Sequence, residues 1–155
     1  MALEIRGLTP LLQVYDMPAS IHFYRDLLGF EVVVASPLRP GNKFHWALLR
    51  RGDVELMLNT AYEFDEERPV PPDVARVAAH SDTVLYFGCP DVEAAYEELL
   101  GRGVKLEPPS VARYGMKQLN VRDPDGYALV FQWREAAMEA TRDGGKAELN
   151  QPPVE

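Results

Sequence analysis

Residues 14–33 read VYDMPASIHFYRDLLGFEVV, and the order of chemistries along them decides the fold. An apolar strand end at Val14 is followed by Asp16, whose short carboxylate can accept from the free N–H groups of a following helix. Pro18 falls in the first turn, where a missing N–H costs little. Phe23 and Leu27 stand four apart, as do Tyr24 and Leu28, so one stripe of the predicted helix is apolar. Gly29 then offers the left-handed backbone that ends helices. The β-branched run after Glu31 reads as a strand.

Outward from this stretch, the chain repeats itself. FHWALLRRGDVELMLN at 44–59 predicts a two-strand hairpin turning at Arg50-Arg51-Gly52-Asp53. In the second half, DTVLYFGCPD at 82–91 reads as a strand running into a helix cap at Asp91. The helix VEAAYEELLG follows, with Ala95 and Leu99 on one face and Gly101 and Gly103 as its stop. MKQLNVRDPDGYALVFQW at 116–133 closes the half with a hairpin turning at Asp123-Pro124-Asp125-Gly126. Asp91 follows Asp16 by 75 positions and Gly126 follows Gly52 by 74. Two independent landmarks with nearly equal offsets point to a duplication.

The expected fold is α+β, with two βαβββ modules forming curved mixed sheets around a cavity. One domain is expected over 1–135, with modules at about 7–60 and 81–133 and a connector at 61–80 that carries Pro69, Pro71 and Pro72. The segment 136–155, rich in Gly, Pro and charge from Asp143 onward, is expected to be a partly disordered tail. Period 2 sets the strand faces. Leu12, Val14, Leu129 and Phe131 should pack on the helices, leaving Thr9, Leu11, Gln13, Ala128, Val130 and Gln132 on the opposite faces.

The chain has 155 residues, 46% hydrophobic and 26% charged, enough for a core without staples. Its net charge of −8 argues against nucleic-acid phosphate and anionic membrane as partners. A single cysteine, Cys89, rules out an internal disulfide or a multi-cysteine zinc site. It follows an apolar strand and reads as a small buried packing residue rather than a reactive thiol. The first residues carry early charges and no long apolar run, so a cytoplasmic location is expected.

VYDMPASIHFYRDLLGFEVV resembles the first-module motif of the glyoxalase/bleomycin-resistance/extradiol-dioxygenase superfamily, also called vicinal oxygen chelate proteins. YGMKQLNVRDPDGYALVFQ at 114–132 resembles its second-module motif, and DVEAAYEELLGRGV at 91–104 fits the helix between them. The resemblance covers roughly residues 7–133. It implies a divalent metal held by His or Glu side chains from the first and last strands of both modules, which would polarise a ligand oxygen. On this sequence those positions fall on Thr9, on or beside Val84, on Val130, and on Leu56 or Met57 with Glu55 nearby. Valine cannot bind a metal and threonine is a poor donor, so the inherited site is expected to be absent and no cofactor is expected.

The three histidines offer little replacement. His22 reads as a surface or packing residue of the first helix, and His80 as a solvated loop residue. In FHWALL, alternation would place Phe44, Trp46 and Leu48 in the core and turn His45 and Ala47 into the cavity. His45 is then either a structural histidine or a ligand contact; paired with Glu55 across the hairpin it would form an acid–base couple. The carboxylates Asp65, Glu66 and Glu67 read as a solvated loop run.

Without metal, the resemblance is closest to bleomycin-resistance-like members, acidic dimers that sequester a cationic, aromatic antibiotic. Tyr114 stands where such proteins present a stacking aromatic, or else packs on its own hairpin. Met116, Gln118 and Asn120 alternate away from Leu119 and Val121 as a polar and thioether wall. The ligand-binding candidates are Gln13, His45, Glu55, Met57, Tyr114, Met116, Gln118 and Gln132, with no catalytic residue assigned and no metal ligand. The expected function is metal-independent small-molecule binding, by a homodimer, of a ligand for which cationic and aromatic character are the candidates. The alternative is a metal-dependent lyase or dioxygenase with a displaced ligand set such as His45 and Glu55. A third reading is a structural partner protein with a closed cavity.

Overall fold

The computed structural model describes residues 3–41 and 43–135, so the tail expected at 136–155 lies outside the described residues. Two four-stranded sheets and few helices make an α+β architecture, as the repeat predicts. The first module runs β1 (Leu11–Val14), α1 (Met17–Ile21) with a wider helical continuation at His22–Leu27, β2 (Glu31–Ala35), β3 (Trp46–Arg51) and β4 (Val54–Thr60). After α2 (Val74–Ala79), the second runs β5 (Val84–Gly88), α3 (Val92–Gly101), β6 (Ser110–Val111), β7 (Met116–Arg122) and β8 (Ala128–Arg134). The sheet orders are β1-β4-β3-β2 and β5-β8-β7-β6. This is the same order twice, the topological trace of duplication. By compactness the described residues divide into one unit up to Thr83 with Arg122–Ala128, and a second of Val84–Val121 with Leu129–Glu135.

In the first unit the local signals act as expected. Asp16 accepts from the Ala19 N–H, Pro18 sits in the first turn, and Gly29 and Gly52 take positive φ. The helix does not keep its 3.6 period, however. From His22 it widens, and the Leu28 N–H donates to the Phe23 carbonyl five residues back at 2.9 Å. Phe23, Tyr24 and Leu28 are thereby buried together, while Leu27 is only half-buried. Leu12, Val14, Ala47, Leu49, Leu56 and Leu58 form the sheet side of this core. At about 25 cal/mol per Å² of apolar surface, these side chains dominate the unit's stability.

The register overturns one expected face. β3 pairs antiparallel with β4, Ala47 opposite Leu58 and Leu49 opposite Leu56. Ala47 and Leu49 are therefore core residues, and Trp46 and Leu48 lie half-buried on the open face. Alternation predicts two faces but not which one a helix covers. The connector also holds more structure than predicted, because Asp73 caps α2 by accepting from Ala75 and Arg76.

The 122–128 turn is the buried anchor of this unit. The Asp123 carboxylate takes backbone N–H bonds from Asp125 and Tyr127 and the Tyr24 hydroxyl at 2.8 Å. Asp125 accepts from the Tyr15 N–H at 2.7 Å and the Ser20 hydroxyl at 3.3 Å. His80, expected as a solvated loop residue, is half-buried. It stacks on Tyr127 at 4.1 Å and its Nδ1 lies 2.7 Å from the Asp125 carbonyl oxygen. His22 is exposed and pairs with Asp26.

In the second unit, Asp91 caps α3 through the Ala94 N–H, and Gly103 takes positive φ just past the helix. Val92 and Leu99 of α3 are buried, as are Leu119, Val121 and Leu129 of the sheet. Lys117 pairs with Glu93 of α3, which identifies the 117–119–121 face as the helix side. Phe131 stacks on Phe87 at 5.0 Å. Cys89 is half-buried rather than buried, its Sγ 3.5 Å from the Asp91 carbonyl oxygen.

Candidate functional site

The open face of the first sheet is set by register. Leu11 lies beside Met57 and Gln13 beside Asn59 across the parallel β1–β4 pair, with Leu48 and Trp46 continuing the rows on β3. Asn59 Nδ2 donates to Gln13 Oε1 at 3.3 Å, so two amides meet on the face that Gln13 and Met57 share. Asn59 is a member of this face that the sequence reading missed. Its position two residues beyond Met57 was the available signal.

Glu55 lies farther along that face, bound by the Arg50 guanidinium at 2.8 and 2.5 Å. With Thr9, Arg6 and Arg50 it lines a shallow depression of about 580 Å³. His45 is not there. It sits opposite Thr60 at the other end of the hairpin, on the helix side of the sheet, with Nδ1 3.2 Å from Thr60 Oγ1. Five residues of strand separate the two ends, about 16 Å. The expected His45–Glu55 couple therefore does not form. The cause is the same face reversal that placed Ala47 in the core.

His45 instead lines a cavity of about 470 Å³ at the end of the first sheet, walled by Tyr15, Phe44, Thr60, Tyr62 and Phe64. Asp65, expected as part of a solvated run, ties this rim together by accepting from Lys43 at 2.6 Å and Arg68 at 3.1 Å.

In the second unit, Tyr114, Gln118 and Gln132 are brought together. The Gln118 amide donates to the Tyr114 hydroxyl at 2.7 Å and to Gln132 Oε1 at 2.8 Å. These residues and Met116 occupy the face opposite buried Leu119 and Val121. Tyr114 stays 55% exposed as a residue, its phenol oriented by Gln118.

The donor set does not fit the superfamily's metal. Leu56 is fully buried in the core and Met57 faces Leu11, which leaves Glu55 as the carboxylate beside Thr9, already neutralised by Arg50. Val84 and Val130 offer no donor. Among the described residues no group of three or more His, Cys, Asp or Glu is placed to hold a metal ion. No described helix is long and apolar enough to cross a membrane.

The buried carboxylates are structural. Burial pushes the Asp123 carboxyl up to about 6, against the downward pull of its Tyr24 and backbone hydrogen bonds. Burial also raises Asp125.

Two sheets of identical strand order, each with a helix on one face and amide side chains among the residues of the other, define a class of protein. The chain belongs to the glyoxalase/bleomycin resistance protein/dioxygenase superfamily, whose family model matches residues 8–131. Among its relatives, the uncharacterized protein YraH of Bacillus subtilis is 28% identical over 116 residues, spanning 74% of this chain and 87% of YraH. The fold is shared with the bleomycin-binding protein of Streptomyces verticillus, solved with copper(II)-bleomycin. That match has TM-score 0.61 at 24% identity and covers 86% of this chain and 99% of the other. It is shared also with TnmS3, an antibiotic binding protein from Streptomyces, at TM-score 0.60 and 22% identity over 87% and 99% of the two chains. At such identities the likeness speaks for the fold alone.

Proposed function

We propose that this protein binds a small molecule without metal, in the manner of the superfamily's antibiotic-binding members, and works as a homodimer in the cytoplasm. The observation that carries this reading is the Tyr114–Gln118–Gln132 cluster. On the open face of the second sheet this chain presents a phenol and two amides already hydrogen-bonded to one another. Such groups orient a ligand without ionising it. Exposed Tyr114 supplies a stacking surface for an aromatic ligand, and the net charge of −8 favours a cationic one. Leu11, Val34 and Tyr86 are large apolar residues left exposed, which supports self-association. The single cysteine agrees with a reducing compartment.

The test is a thermal-shift titration with cationic aromatic compounds, bleomycin included, beside elemental analysis and sedimentation. A dimer whose melting temperature rises with such a compound, equally with and without chelator, and no longer does so in Gln118→Ala, is expected. One tightly held divalent ion per chain, lost together with ligand response on chelation, would overturn the reading.

A further inference from the structure

We propose that the cavity on the helix side of the first sheet is a second ligand site, for an uncharged aromatic molecule bearing a hydroxyl or carbonyl group. Every residue that lines it belongs to the first unit, and none of Gln13, Glu55, Tyr114, Gln118 or Gln132 is among them. It therefore stands independently of the site proposed above.

Three observations carry the assignment. First, the cavity's volume of about 470 Å³ lies within the roughly 300–1,000 Å³ of small-molecule sites. Its walls are aromatic: Tyr15 meets Tyr62 edge to face at 5.8 Å, with Phe44 and Phe64 completing them. Second, the Tyr15 side chain is 9% exposed, and its hydroxyl is buried with no hydrogen-bond partner among the described residues. A buried hydroxyl without a partner is unfavourable, so a ligand oxygen that reaches it gains a bond whose desolvation has already been met by folding. His45 stands on the same cavity, and its Nδ1 is engaged by Thr60. The Tyr15 hydroxyl and the second ring nitrogen of His45 can each donate or accept according to rotamer and tautomer, which suits a hydroxyl or carbonyl.

Third, the charged side chains lining the cavity balance, Arg39, Lys43 and Arg68 against Glu63, Asp65 and Glu66, so no net charge there favours an ionic ligand. Lys43 and Arg68 are both committed to Asp65, and Arg68 also reaches Asp16 at 3.5 Å while lying 5.2 Å over the Tyr15 ring. Arg39 donates to the Glu63 carbonyl and lies 5.8 Å over the Phe64 ring. These cations fasten the 62–68 segment over the cavity rather than point at an anion.

The probe is 4-methylumbelliferone at mildly acidic pH, where it is neutral, with fluorescence titration of the full chain. Saturable binding is expected, about tenfold weaker in Tyr15→Phe, the value of one buried hydrogen bond. A similar loss is expected in His45→Ala, and a smaller one in Thr60→Val, which keeps the shape but frees the imidazole. Two ligand controls accompany it: 4-methylcoumarin, which lacks the hydroxyl, and 7-hydroxycoumarin-3-carboxylate, which adds a charge, should both bind more weakly. Gln118→Ala should leave probe affinity unchanged, which separates this site from the sheet-face site. Absence of saturable binding, equal affinity in Tyr15→Phe and wild type, or loss of binding in Gln118→Ala would each overturn the proposal.

Discussion

The Arg50–Asp53 turn stands in water, whereas the Asp123–Gly126 turn, its counterpart in the repeat, is sunk into the protein. Both reverse a hairpin with a glycine at positive φ, +58° at Gly52 and +87° at Gly126. A Cβ on Gly52 would meet nothing within 4 Å, while one on Gly126 would come within 2.5 Å of the Val77 carbonyl oxygen. The charged groups differ likewise. Arg50 and Glu55 form an ion pair at the edge of an open face, whereas Asp123 and Asp125 are buried and bind the backbone and hydroxyl groups of residues more than ninety positions away. One turn is local chemistry. The other is sunk among Tyr15, Ser20 and Tyr24, which its two carboxylates bind.

The sharpest break in this comparison is a pair of identical substitutions. Gly126→Ala should lose about 3 kcal/mol or more through backbone strain and collision with Val77, while Gly52→Ala should lose only about 1 kcal/mol, the strain alone. Urea denaturation of both variants gives the difference directly, and equal losses would refute the distinction between the turns.

Next in size is the pH dependence of the buried turn. The folded Asp123 carboxyl, at about 6, lies above its unfolded value of 3.8, because burial disfavours the charge. The folded state thus holds the proton more tightly. The stabilisation is fully present below the unfolded value and is lost as pH rises through about 6. Asp123→Asn should remove roughly 2–3 kcal/mol of this slope between those limits, leaving the part due to Asp125, which burial raises in the same direction. Its amide can still accept from the two backbone N–H groups and donate to Tyr24. An unchanged stability–pH profile in the variant would show that Asp123 is not the titrating group.

Smaller effects sharpen the contrast. Tyr15→Phe keeps the backbone N–H that Asp125 binds and deletes only the unpartnered hydroxyl. It should therefore stabilise the protein by about 1 kcal/mol while weakening probe binding, two readouts of opposite sign that a simple packing defect would not produce. At the exposed turn, Glu55→Gln should change stability by only about 0.5 kcal/mol, and less in high salt, as a surface ion pair does. A loss above about 2 kcal/mol in a denaturant titration would mean the first turn is also an anchor.

Much of the fold was legible in the residues. Asp16 with Pro18, Asp91, Gly29, Gly103 and the two hairpin turns state their roles locally, because a cap or a positive-φ turn needs only its own few neighbours. The candidate site was legible in part. Tyr114, Gln118 and Gln132 could be grouped because neighbouring strands of one hairpin bring alternate residues to one face. His45 and Glu55 could not be kept together, since the choice of face depends on which side α1 covers. The cavity around Tyr15 was hidden for a different reason: its walls come from Tyr15 and the start of α1, the end of β4, the loop before β3 and the connector, four segments with no common period.

By itself the sequence determined the order of elements, their ends and the duplication. These follow from interactions within a turn or a strand, which span a few residues and leave a pattern in the chain. Only the tertiary structure decided which face of the first sheet is core, how the helix widens to bury Phe23, Tyr24 and Leu28 together, and that Asp123 and Asp125 answer to α1. Burial and long-range hydrogen bonding are properties of a place in space, and residues a hundred positions apart share that place without any local sign of it.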